Sequence, residues 1–168
     1  IVDYCKEKNI TFLCTPWDTP SVDFLEEIDT VAYKISSGDM TNFPLIKYVS
    51  KTRKPMIIST GMSKIDEVEK MISFVRMQNV PFIILHANST YPSPIESLNV
   101  SLISEFEKKF EVPIGFSDHE IGIIGSITAA NIGAVVIERH ITLDKKMKGL
   151  DHSSSLEPDE FKEMVNMI

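Results

Sequence analysis

Two histidines open the chemical reading of this chain. His119 lies in GFSDHE and His140 in VIERHITLD, and each closes an apolar run with strand character. The two runs are consecutive, so on adjacent parallel strands their histidines share one rim. Two imidazoles with an open coordination sphere suit a divalent cation that polarises a carbonyl. Two separately hydrogen-bonded histidines fit the same spacing. Asp118 and Glu138 stand next to them as groups that orient the imidazoles or meet substrate.

Lys34 follows the apolar Val31, Ala32 and Tyr33. A lysine on such a strand forms a Schiff base, holds a phosphate, or is a plain surface residue at a strand end. Ser36, Ser37 and Gly38 follow at once, and small hydroxyl residues with a glycine allow close backbone approach to an anion. Ser59-Thr60-Gly61 repeats that character and reads either as a second part of a phosphate site or as a helix-capping turn. His86, at the end of FIIL, reads as a core histidine. Ser89 and Tyr91 lie in a proline-containing loop suited to ligand contact. Asp151 and His152 follow Gly149. Asp151 can accept substrate hydroxyls or act as acid or base, or it can cap a turn in a solvated loop.

These residues need elements to position them. Apolar, β-branched runs predict strands at Thr11–Thr15, Val31–Ser36, Met56–Thr60, Phe82–His86, Ile114–Ser117 and Ala134–His140. Runs such as FIIL and AVVI suit strands buried on both faces of a parallel sheet. Helices are predicted over Ser21–Glu27, Asn42–Lys51, Ser97–Phe110, Ile121–Ile132 and Pro158–Ile168. Another begins with Ser63 as N-cap and Asp66 and Glu67 in its first turn, with Val68, Met71, Ile72 and Val75 at helical spacing. Strands alternating with helices give an α/β fold of right-handed βαβ units. An open doubly wound sheet and part of a (β/α)₈ barrel both satisfy that pattern. The chain has neither a G-x-G-x-x-G motif nor a P-loop, which weakens the nucleotide-binding version. The strand ends carry reactive residues (YKISSGD, IISTGMS, ILHANSTYP, GFSDHE, IERHITLD), as the catalytic mouth of a barrel requires. Six strands leave about two to precede Ile1 in a standard barrel.

Composition sets the outer limits. The 168 residues are 43% hydrophobic and 24% charged, a globular profile. A net charge of −7 and a pI near 5.1 argue against nucleic acid or an anionic membrane as partner. The basic run Lys145, Lys146 and Lys148 reads as a short solvated loop. Cys5 and Cys14 have no metal spacing and point to a reduced, cytoplasmic protein. No apolar run approaches a membrane span. The chain starts with Ile1 in what reads as a helix already under way and ends within another, as a piece of a longer protein does.

KISSGDM, IISTGMS, YPSP, GFSDHEIGI and VIERHITLDKKMKGLDHSSSLEP resemble, in order and over nearly the whole chain, the sialic acid (N-acetylneuraminate) synthases and their nonulosonate-synthase relatives. The resemblance implies a (β/α)₈ TIM barrel of which this chain covers approximately strands three to eight. The first two strands and a C-terminal antifreeze-like domain would lie outside residues 1–168, and the full-length protein would be a homodimer. It also implies condensation of phosphoenolpyruvate with an N-acetylated amino sugar, with Mn²⁺ or Mg²⁺ required.

Position by position, the resemblance assigns Lys34, Ser37, Ser59 and Ser117 to the phosphate and carboxylate of phosphoenolpyruvate. His119 and His140 match the metal ligands. Tyr91, Glu138 and Asp151 match sugar-contacting positions, with Glu138, Asp151 and Lys34 as candidate catalytic groups. Ser89 falls where many members have Asn. Asp39 falls where many have Glu, one methylene longer. Two rivals remain: a metal-independent Schiff-base aldolase using Lys34, and a non-catalytic phosphate-binding barrel fragment. The sugar is N-acetylmannosamine, its 6-phosphate or a diacetamido sugar.

Overall fold

The computed structural model describes all 168 residues and divides into two compact units. The first is Ile1–Ser59 with Ser63–Ile83, and the second is Thr60–Met62 with Ile84–Ile168. In both, parallel strands alternate with helices, so the α/β expectation holds.

The first unit runs α1 (Val2–Glu7), α2 (Thr19–Glu27), β1 (Tyr33–Ile35), α3 (Phe43–Ser50), β2 (Met56–Ser59) and α4 (Ile65–Gln78). Local chemistry starts and stops these helices. The Asp18 carboxylate accepts from Ser21 N at 2.9 Å and Pro20 occupies the first turn, where its missing N–H costs nothing. Asn42 plays the same part for α3 with Pro44. Asn79, in the left-handed region at φ 54°, closes α4. Strands β1 and β2 pair in parallel with Lys34 opposite Ile57. Tyr33 and Ile35 are fully buried on one face, which turns Lys34 to the other.

The second unit contains most of β3 (Phe82–Ala87), then α5 (Leu102–Phe110), β4 (Ile114–Asp118), α6 (Ile124–Asn131), β5 (Ile137–Arg139) and α7 (Pro158–Met167). β4 pairs in parallel with β3 and with β5. Its core is Ile84, Leu85, Ile103, Ile114 and Phe116, with the His86 ring stacked on Phe116 at 5.7 Å between centroids.

Several expectations need correction. Five strands form rather than six, because Thr11–Thr15 joins no ladder. It has β-branched and apolar residues, but a strand exists only through a neighbour's hydrogen bonds. Ala134–His140 shrinks to Ile137–Arg139, and Val135 is 60% exposed, so AVVI is not buried on both faces; β5 is hydrogen-bonded to β4 on one side. The N-cap of α4 is Lys64 rather than Ser63, since Glu67 reaches back to Lys64 N at 2.8 Å. The helix expected over Ser97–Phe110 splits into a 3₁₀ turn at Ile95–Ser97 and α5, with Asn99 at φ 47° between them. α6 begins at Ile124, after Gly122 at φ 109°. The lysine run is partly anchored: Lys145 Nζ meets Glu160 Oε1 of α7 at 2.6 Å.

Gly115 marks the tightest approach in β4. A Cβ there would press on Leu85 Cδ2 and lie 2.7 Å from the carbonyl oxygen of Val136, a backbone atom that cannot swing away. Gly115→Ala is therefore expected to destabilise the protein by about 1–3 kcal/mol, as other overpacked cores are. Urea unfolding with an unchanged slope is the check.

Candidate functional site

Parallel strands raise two groups of reactive side chains, one in each unit. In the first, β1 ends at Ile35 and a 3₁₀ turn follows at Ser37–Asp39. Lys34 Nζ donates to Ser59 Oγ at 2.7 Å and to Ile35 O at 3.4 Å. Because the serine oxygen accepts from the ammonium, its own proton points to another acceptor. A cation and an O–H donor thus stand together, which suits an anionic oxygen. Ser37 begins the turn. Asp39 is held by it: Ser36 Oγ donates to Oδ2 at 3.1 Å and Asn42 Nδ2 to Oδ1 at 3.0 Å. Both Asp39 oxygens therefore already serve the fold.

The second group is tighter. Register places Ser117 of β4 opposite Glu138 of β5, and Ser117 Oγ donates to Glu138 Oε1 at 2.7 Å. Two residues on from Ser117, and two from Glu138, come His119 and His140, whose ring centroids are 5.2 Å apart. The Tyr91 ring contacts both, at 4.1 Å from His119 and 5.6 Å from His140. Asp151 Oδ2 lies 3.8 Å from His140 Nδ1, beyond hydrogen-bond range. The structure therefore brings together Tyr91, Ser117, His119, Glu138, His140 and Asp151. Ser89 lines a neighbouring cavity of about 330 Å³ with Asn88, Thr90, Ser97, Asn99 and the His86 edge.

The hydrogen bonding of His119 fixes its tautomer. His119 Nδ1 is 2.7 Å from the Asn88 carbonyl oxygen, which can only accept, so Nδ1 carries the proton and Nε2 keeps its lone pair. Burial above all holds the His119 imidazole below its ordinary pKa, with nearby His140 acting in the same direction; the Asn88 bond, Asp118 and Glu138 oppose it less strongly. A neutral imidazole is what a metal needs. No set of three or more His, Cys, Asp or Glu side chains gathers into a metal cage.

His86 is a core residue, as its sequence context suggests: Nε2 donates to Leu98 O at 2.8 Å and burial lowers its pKa. Asp118 needs a correction. It does not face the histidines. Its side chain is fully buried against Arg139 Nη1 at 2.6 Å, because strand alternation turns it to the opposite side from Ser117. Asn88, Glu120 and Arg139 escaped the sequence reading. Opposite charges at Asp118 and Arg139, each preceding a candidate histidine, were the available signal.

Comparison with known proteins accords with this arrangement. The NeuB family model matches residues 1–168, and the chain belongs to that family. It is 43% identical over 166 residues to human N-acetylneuraminate-9-phosphate synthase, covering 98% of this chain and 46% of that protein. It is 39% identical over 173 residues to N,N'-diacetyllegionaminic acid synthase of Campylobacter jejuni, covering 100% of this chain and 51% of the other. The crystal structure of spore coat polysaccharide biosynthesis protein SpsE from Bacillus subtilis superposes with a TM-score of 0.94 at 40% identity, over 99% of this chain and 47% of that one. The chain thus spans about half the length of the curated relatives it matches. No helix is long and apolar enough to cross a membrane.

Both His86 and His119 should titrate below the free imidazole value of about 6.5. A histidine whose folded pKa is depressed binds fewer protons folded than unfolded, so stability rises with pH through that window. The protein should hold its full stability above about pH 6.5 and lose it as pH falls from there towards the folded pKa values. Imidazole NMR titration with urea unfolding at matched pH values checks this; a midpoint above 6.5 for either ring would contradict it.

Proposed function

We propose that this chain is the greater part of the catalytic barrel of a phosphoenolpyruvate-dependent synthase. The enzyme joins phosphoenolpyruvate to an N-acetylated amino sugar and releases a nonulosonate and phosphate. The observation that carries this reading is the His119–His140 pair, with His119 Nε2 left available by the Asn88 bond. Family membership supports it, as do relatives named as synthases of N-acetylneuraminate 9-phosphate and N,N'-diacetyllegionaminic acid. On this reading the five strands belong to an eight-stranded barrel, the full-length protein is a homodimer, and it works in the cytoplasm.

His119 and His140 would hold a divalent cation, Mn²⁺ or Mg²⁺, which when bound would supply Lewis-acid polarisation of the open-chain sugar's aldehyde oxygen. The methylene carbon of phosphoenolpyruvate attacks the aldehyde carbon, and positive charge develops at the enol-ether carbon. Water adds to that carbon, and the tetrahedral species expels phosphate to leave an α-keto acid. Lys34 and Ser59 offer a cation and an O–H donor to the phosphate, with Ser37 three residues on from Lys34 at the turn. Ser117 fixes the Glu138 carboxylate by donating to it, which favours Glu138 over the exposed Asp151 as the group that moves protons. Tyr91, Ser89, Asp39 and Asp151 are the sugar contacts.

The test takes the full-length protein with phosphoenolpyruvate, Mn²⁺ and, in turn, N-acetylmannosamine, its 6-phosphate and a diacetamido sugar. Phosphate release with one of them is expected, abolished by chelator. His119→Ala and His140→Ala should fall to the chelated level. Lys34→Ala should raise KM for phosphoenolpyruvate. Silence with every sugar, or borohydride trapping of substrate on Lys34, would overturn the proposal.

A further inference from the structure

Beneath the histidine pair lies a fully buried group of charged residues that the mechanism does not use. The register pairs Asp118 with Arg139, one step along from Ser117 and Glu138. Alternation turns this second pair to the opposite face of the ladder. Both side chains are 0% exposed, and Arg139 Nη1 lies 2.6 Å from Asp118 Oδ2.

Asp118 is anchored to α6 and to the loop before it. Ser126 Oγ donates to Oδ2 at 2.6 Å, and Glu120 N donates to Oδ1 at 3.0 Å. The Glu120 carboxylate in turn accepts from Gly125 N. Arg139 reaches further. Its Nη2 donates to Glu120 O at 2.9 Å and to Ser154 O at 3.4 Å. Ser154 N and Oγ donate back to Asp151 O at 3.1 and 3.0 Å. One guanidinium therefore ties together the segments that bear His119, His140 and Asp151.

Stability alone is a poor reason for this arrangement. A buried ion pair repays its desolvation only with excellent geometry, and apolar residues of similar volume often do as well. Here Arg139 Nε and Nη1 make no aligned hydrogen bond although both are buried. What the pair does supply is register. Sliding β5 by one residue would set Arg139 among the site residues and His140 in the helix-facing layer. Asp118 and Arg139 are also joined to His119 and His140 through a single peptide bond each, so a displaced clamp displaces an imidazole.

We propose that Asp118 and Arg139 are positioning residues that fix the mutual placement of His119, His140 and the Asp151 loop. The inference rests on the assignment of the two histidines as the reacting centre, and its test separates the two.

The full-length protein is compared with Arg139→Lys and with the double variant Asp118→Leu/Arg139→Met. Lysine keeps a charge for Asp118 but lacks the fork that reaches the Glu120 and Ser154 carbonyls. Leu45→Ala, a core lesion in the other unit, controls for lost stability. Bound Mn²⁺ is measured by electron paramagnetic resonance, and the ring ¹⁵N resonances of His119 and His140 are recorded without metal. Both clamp variants should weaken Mn²⁺ binding about 10- to 100-fold, the usual effect of losing groups that orient ligands. They should also move both ring signals, while Leu45→Ala changes neither. A folded clamp variant with unchanged Mn²⁺ affinity and ring signals overturns the proposal. If the double variant does not fold, Arg139→Lys decides alone by the same two readouts. If the unsubstituted protein binds no Mn²⁺, the synthase reading fails instead. The ring signals then decide the clamp: moved in Arg139→Lys they support it, unmoved they overturn it.

Discussion

Strand β4 lies beside β5 with Ser117 against Glu138 and Asp118 against Arg139, and the character of both faces follows from that register. Side chains alternate along a strand, so one pairing decides two environments at once. The face with Ser117 and Glu138 continues to His119 and His140. The face with Asp118 and Arg139 is closed over by α6, whose Ser126 hydroxyl and Gly125 amide meet the buried carboxylates. Polar groups on both sides of a central strand are unusual in an α/β layer, where continuous apolar runs are the rule. They are tolerated because both sides are paired internally, Asp118 with Arg139 and Ser126 on one and Ser117 with Glu138 on the other.

The first unit obeys the same constraint with less freedom. Tyr33 and Ile35 fill the core, and the odd residue out, Lys34, has to face the other way. Its ammonium finds Ser59 on the neighbouring strand, two positions beyond Ile57, with which Lys34 is in register. Parallel strands bring same-direction ends to one level, so a lysine and a serine from distant parts of the chain become a donor pair. Ser36 caps the turn after β1 by accepting from Asp39 N, and the Asp39 carboxylate accepts in return from Ser36 Oγ and Asn42 Nδ2.

Strand existence and most candidate side chains were legible in the sequence because both depend on local pattern. VAYKI, MIIS, FIIL and IGFS announce themselves by apolar runs next to turn residues, and each contains a strand, although β1 is confined to Tyr33–Ile35 and leaves Val31 exposed. Thr11–Thr15 has the same composition yet forms none, since propensity says nothing of whether a neighbour is present. The Ser97–Phe110 helix broke for a related reason: its apolar spacing was right, but Asn99 at positive φ imposes a turn that periodicity does not show. Within the site, His119 and His140 stood out by type. Asn88 could not, because it acts through a backbone carbonyl, which every residue has. Asp118, read as a group that orients the imidazoles or meets substrate, has its side chain turned by alternation to the opposite face, against Arg139. Arg139 was hidden between two more conspicuous neighbours.

On the proposed reading, the two-ligand character of the histidine pair is itself chemically apt. A cation enclosed by four protein ligands is structural, while one that must bind a substrate oxygen needs positions left for it. His119 and His140 supply two nitrogens, and the chain gathers no further His, Cys or carboxylate into a cage around them. Sparse coordination carries a cost, because two ligands constrain a cation less than four do. Precision then has to come from the orientation of each imidazole. His119 has its ring set by the Asn88 carbonyl and by the Tyr91 ring packed at 4.1 Å. His140 has no such carbonyl bond; Tyr91 meets it edge-on, and Asp151 stands at a looser 3.8 Å. The less constrained ligand is thus the one next to Arg139, and the buried guanidinium supplies through the backbone the restraint that the imidazole lacks at its own ring.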